Sequence, residues 1–79
     1  MIENNIKNLR KKHSVSQTEL ADAVLSTRQT IYLAEKNKVI PSLELAFKLS
    51  RFFKVPIEDI FQYESKSNKQ SDVFFIFEK

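Results

Sequence analysis

The chain has no cysteine, no glycine and no tryptophan, and its 79 residues include one histidine and two prolines. Without cysteine there can be no disulfide framework, and His13 alone argues against a structural zinc site. Without glycine there is no Gly-rich loop to cradle a phosphate. Paired carboxylates, a nucleophile with its base and a metal cluster are all missing from the pattern, so neither an enzyme nor a cofactor is expected. Long apolar runs are missing too. The longest, Val73 to Phe77, is far too short to span a bilayer. The N-terminus lacks the apolar stretch of a signal peptide. The expectation is a cytoplasmic protein with no membrane partner.

A single small domain of this length lies near the lower limit for burying a stable core. Such domains are stapled by disulfides, by a metal or by self-association. The first two are ruled out or disfavoured here, which leaves a homodimer as the expected staple. The formal charge is +3. Residues 1–61 carry ten Lys/Arg against seven Asp/Glu, so the surplus of three lies there and the remaining tail is neutral. A basic surplus on the folded body is a modest signal for nucleic acid.

Apolar periodicity predicts five helices. The first runs from about Asn4 to Lys12, with Ile2, Ile6 and Leu9 on one face, Lys7, Lys11 and Lys12 off it, and the cations crowding the last turn, where they complement the helix dipole. Ser16 followed by Glu19 is a capping box that starts a second helix, Gln17 to Val24. Thr27 is placed to cap a third, Arg28 to Lys36. Asn37 follows as a left-handed terminator, the role glycine usually takes. A fourth helix, Leu43 to Lys54, carries the clearest apolar stripe, with Leu45, Ala46, Leu49, Phe52 and Phe53. Pro56 interrupts it, and a fifth covers Ile57 to Phe61.

Two short helices joined by a turn of three to four residues, inside a helical array, make a helix-turn-helix pattern. In that motif the second helix puts its N-terminal residues against base edges in the major groove. The third helix begins Arg28-Gln29-Thr30. Arginine can donate two parallel hydrogen bonds to guanine, and glutamine can pair in the same way with adenine.

Residues 5–61 resemble the phage-repressor-like (Xre/Cro type) helix-turn-helix family. The stretches IKNLRKK, SQTELADAV, TRQTIYLAEKNK, PSLELAFKLSRFF and VPIEDIF carry the resemblance, in order and in register. The segments MIENNI and IEDIFQYE look like the short cytolysin-repressor-type members. The resemblance implies a mainly α, five-helix lambda-repressor-like domain over residues 1–63. It also implies a small terminal β-sheet of the N-terminal residues and the segment after the fifth helix; the C-terminal VFFIF run, which has no counterpart in the family core, is strand-like by its own residues and is expected as a further strand. Residues 64–79 would be a loop and that last strand, serving dimerisation or packing. Carried over residue by residue, the resemblance makes Arg28, Gln29, Thr30 and Leu33 base readers. Gln17, Thr27, Tyr32, Lys36 and Lys38 become contacts to the DNA backbone. Arg10 and Glu35 become an ion pair joining the first helix to the third.

Two positions depart from the family pattern. Leu25 stands where a glycine usually joins the second and third helices, and Ser26 stands where a small apolar residue usually follows. A side-chain-bearing residue held at positive φ costs roughly 1–2 kcal/mol. Either Leu25 bears that strain or the turn takes another shape.

Five consecutive apolar residues in the tail would make an aggregation-prone edge if left in water. They either pack on the protein's own core or pair near Ile2 or Phe61 to Tyr63 and help bury a dimer interface. The need for a staple favours the second reading, with Phe53, Val55, Ile57, Ile60, Phe61, Phe75 and Phe77 as the interface. The function expected is a sequence-specific regulator of double-stranded DNA, a repressor or autoregulator on an inverted repeat. Two alternatives are a control or antitoxin subunit that binds a protein through the C-terminal strand, and an interaction module that has lost DNA binding.

Overall fold

The computed structural model describes residues 1–63, which form β1 (Ile2–Asn4), α1 (Ile6–Lys12), α2 (Gln17–Ala23), α3 (Arg28–Glu35), α4 (Leu43–Phe53), α5 (Ile57–Ile60) and β2 (Phe61–Tyr63). The VFFIF strand, with Phe75 and Phe77, lies outside the described residues. None of the described helices is long and apolar enough to cross a membrane.

Local chemistry fixes where the middle helices start. The Ser16 hydroxyl accepts from the Glu19 backbone N–H at 3.0 Å, and the Glu19 carboxylate accepts from the Ser16 N–H at 2.8 Å. Thr27 caps α3 by accepting from the Thr30 N–H at 3.1 Å, and Ser42 caps α4 by accepting from the Leu45 N–H at 3.1 Å. Each such cap contributes about 1 kcal/mol. The first helix differs from its expected bounds. Asn4 belongs to β1, and its side chain does the joining. Its Oδ1 accepts from the Ile6 N–H at 3.1 Å, while its Nδ2 donates to the Ala34 carbonyl at 2.9 Å. A strand of three residues carries no periodicity of its own and exists only because β2 is there to pair with it.

The two strands run antiparallel, with Ile2 opposite Tyr63, Glu3 opposite Gln62 and Asn4 opposite Phe61. Phe61 is therefore in β2 and not in the fifth helix. Below the sheet one core gathers a residue from every helix. Ile6, Leu20, Ile31, Leu49 and Ile60 are its largest fully buried side chains, with Phe53, Val24 and Ala34 packed among them.

The helix ends share a feature that the composition makes costly. Ser14, Leu25, Asn37 and Lys54 all take positive φ, between 57° and 60°. Behind each, a backbone N–H closes back by five residues: Val15 to Arg10, Ser26 to Ala21, Lys38 to Leu33 and Val55 to Ser50, at 2.8–3.2 Å. This is the left-handed closure that glycine normally supplies. Here four helices make it with side chains attached. Asparagine tolerates the conformation best, and leucine has no local hydrogen bond to offset it.

Leu25 therefore bears the strain with its turn unchanged, and its side chain is 82% exposed. Since almost no packing is lost on removing it, Leu25→Gly is expected to raise stability by about 1 kcal/mol, the strain relieved less the extra freedom of glycine when unfolded. A urea melt checks this. An unchanged or lowered midpoint would mean that the leucine side chain stabilises the turn in some other way.

Candidate nucleic-acid interface

α2 and α3 pack on one another, and α3 presents its first turn to solvent. Arg28 and Gln29 are exposed, and neither side chain is tied to another described residue. Thr30 is half-buried, and its hydroxyl accepts from that of Thr27 at 2.9 Å. One turn on, Tyr32 is exposed and Leu33 is half-buried. Positions 28, 32 and 36 fall on one stripe of the helix by their spacing. The Lys36 ammonium lies over the Tyr32 ring, 5.7 Å from its centre, within cation–π range. Lys38 follows just past the helix end and is exposed. Arg28, Gln29, Tyr32 and Lys36 are thus exposed along α3 and at its end, with Thr30 and Leu33 half-buried beside them.

A polar network holds α3 in place from behind. Arg10 of α1 donates through Nε to Glu35 Oε2 at 2.7 Å and through Nη2 to Oε1 at 3.2 Å. The same guanidinium donates to the Val15 carbonyl at 3.2 Å. Gln17, at the start of α2, donates its amide to Glu35 Oε1 at 3.0 Å. One carboxylate therefore joins three helices. The side chains of Arg10 and Glu35 are 13% and 4% exposed, so this is an almost dry, two-pronged pair. Gln17 was expected to hold a phosphate. One of its two amide hydrogens goes to Glu35, and the side chain is half-buried. Sequence spacing gave no sign of that link, because residues 17 and 35 meet only through the packing of two helices.

The residues expected at a dimer interface divide in two. Phe53 and Ile60 are core residues with at most 2% exposure and no surface to offer a second copy. Val55, Ile57 and Phe61 are half-buried and still have an outer side. A further apolar surface lies nearby, outside the residues expected at the interface. Ile40 is 68% exposed, Leu43 is 72% and Phe47 is 52%. Leu43 and Phe47 are four residues apart, so α4 carries a second apolar stripe beside the one that enters the core. The signal was present in that spacing, but the stronger inward stripe masked it.

A helix-turn-helix family profile matches residues 6–60 of the chain. An uncharacterised HTH-type transcriptional regulator of Methanocaldococcus jannaschii is 49% identical over 63 residues, covering 80% of this chain and 96% of that one. A second such regulator, from Bacillus subtilis, is 38% identical over 66 residues, covering 84% of this chain and 100% of that one. The crystal structure of a transcriptional regulator from Listeria innocua superposes with a TM-score of 0.68 at 17% identity, over 94% of this chain and 70% of that one. At that identity the likeness shows the fold.

Proposed function

Because the chain belongs to the phage-repressor-like helix-turn-helix family of DNA-binding transcriptional regulators, we propose that it acts as a homodimeric repressor or autoregulator on an inverted-repeat operator. The observation that carries this reading is the unengaged Arg28–Gln29 pair on the first turn of a helix that Thr27 caps and Glu35 holds. Arg28 pairs with the O6 and N7 of a guanine, and Gln29 with the N6 and N7 of an adenine. Thr30 and Leu33 complete the reading edge, Leu33 against a thymine methyl. Thr27, Tyr32, Lys36, Lys38 and the second amide hydrogen of Gln17 contact phosphates and set the register.

One copy of α3 reads only a few base pairs. Two copies related by a two-fold axis place their reading helices about 34–36 Å apart, one turn of the duplex, and match an inverted repeat. The partly exposed Val55, Ile57 and Phe61, together with the Leu43–Phe47 stripe, supply the apolar surface for that pairing.

The test is a fluorescence-anisotropy titration. It uses labelled DNA from upstream of the chain's own gene and scrambled DNA of the same composition, at two salt concentrations. The expected result is tight, salt-sensitive binding with a preference of about 10³-fold or more for the native sequence. Weak and equal binding to both, or none at low salt, would count against the reading. Within that assay, Lys38→Ala should weaken binding to every sequence alike and lower the salt slope by about one. A selective loss on one sequence would move Lys38 from the phosphates to the bases.

A further inference from the structure

Beside the sheet lies an apolar groove of about 290 Å³. Ile2 and Phe61 line it from the two strands, Ile57 from α5, Leu43 and Ala46 from α4, and Ile40 closes one rim. Large aliphatic side chains left in water at this density mark a surface that something covers. The sequence carries a segment of matching chemistry. Val73 to Phe77 are five apolar residues in a row, beyond a polar stretch from Glu64 to Asp72. That stretch leaves β2 at Tyr63, two residues after the groove-lining Phe61. Its nine residues reach up to about 30 Å when extended, ample for a return to the groove. A link of this length holds its end at an effective concentration in the millimolar range. At period two, Val73, Phe75 and Phe77 fall on one side of an extended segment.

We infer that Val73–Phe77 docks in this groove in cis and competes there with a second copy of the chain. The occupant is the chain's own tail, because it starts beside the groove, reaches it, and consists of apolar side chains that would otherwise be left in water. The inference rests on the homodimer reading given above for its regulatory meaning but not for the docking itself. The groove is also where the Leu43, Ile57 and Phe61 surface of a dimer lies. A docked tail therefore lowers the fraction of chains competent to pair, and the apparent dimer affinity falls with that fraction. The tail then acts as a brake on operator binding.

The absence of cysteine makes the docking testable on the full-length chain. Lys79→Cys takes a nitroxide spin label at a single site, and the backbone amides are read by NMR. The expected result is paramagnetic broadening of Ile2, Leu43, Ala46, Ile57 and Phe61, with α3 spared. A mixture of isotope-labelled chain without nitroxide and unlabelled chain with it should show no broadening. An undisturbed groove in the first sample overturns the docking. Equal broadening in the mixture overturns the cis arrangement and assigns the groove to a partner's tail. Competition is read separately, by sedimentation of Phe75→Asp/Phe77→Asp after circular dichroism confirms unchanged helix content. The variant should dimerise at least about tenfold more tightly than the parent chain. Unchanged or weaker dimerisation overturns the competition. Because the broadening requires neither DNA nor a dimer, failure of the docking and failure of the functional reading give different signatures.

Discussion

Glu35→Ala is expected to destabilise the domain by about 3–5 kcal/mol, the cost typical of removing one partner from a buried ion pair. The substitution deletes the acceptor for two guanidinium hydrogen bonds and one amide hydrogen bond, and leaves Arg10 charged in a place that is 13% exposed. The whole stability of a chain of this size is roughly 4–12 kcal/mol, so the loss takes a large share of it. Urea melts followed by circular dichroism measure the effect. Two comparisons separate the mechanism from mere deletion. Arg10→Met/Glu35→Leu, which removes both charges and keeps volume, should recover most of the stability, because no orphaned charge remains. Lys48→Ala should change stability by at most about 0.5 kcal/mol, because the Lys48–Glu44 pair is a single contact along α4 between a half-buried lysine and an exposed carboxylate. A loss below about 1 kcal/mol for Glu35→Ala would mean that water reaches the site when the carboxylate is gone.

The second large effect falls on recognition and leaves the fold intact. Arg28 and Gln29 are exposed and tied to no other described residue, so Arg28→Ala and Gln29→Ala should melt like the parent chain. Each should instead remove about 1–3 kcal/mol of discrimination at one base position, a factor of roughly 5 to 150 in affinity ratio. The measurement is a competition titration over single-base variants of the operator half-site. Loss of preference at one position per mutant, with other positions unaffected, is the expected outcome. Uniform weakening across all variants for both mutants would make α3 a phosphate-binding element and move base reading elsewhere.

The two predictions differ in how far they could be seen from the residues alone. Helix starts were legible because their chemistry is local: Ser16 with Glu19, Thr27 with Thr30, and Ser42 with Leu45 each lie within four residues. The interior face of α4 was legible for the same reason, since its stripe repeats along one helix. The left-handed residue at Asn37 could be read from its type, whereas Ser14 and Lys54 could not, because neither type marks that conformation. The pairing of β1 with β2 follows from the family resemblance and not from periodicity, because it joins residues about sixty positions apart; periodicity alone placed Asn4 in the first helix. Gln17 gave a similar difficulty. Its type suits a phosphate contact, but the fold also places an acceptor behind it. At the candidate interface, the exposed pair on α3 follows directly from the helix register. The dimer residues split because burial depends on what lies on the other side of a side chain, which periodicity along one helix does not report.

The short sheet has a consequence for the order in which the molecule can be built. The Asn5 N–H donates to the Ile60 carbonyl at 2.8 Å, and the Asn5 amide donates to the Asp59 carbonyl at 3.1 Å. Together with β1 against β2, these bonds anchor the beginning of α1 to residues made almost sixty positions later. The capped helices α2, α3 and α4 form from near neighbours, whereas this anchor requires closure of nearly the whole domain and the loop entropy that goes with it. On the ribosome, the first residues to emerge wait until Tyr63 has been made before they find their partners. The same seam is the natural place for the native domain to open first, so amide exchange should be fastest there and slowest behind Leu20, Ile31 and Leu49.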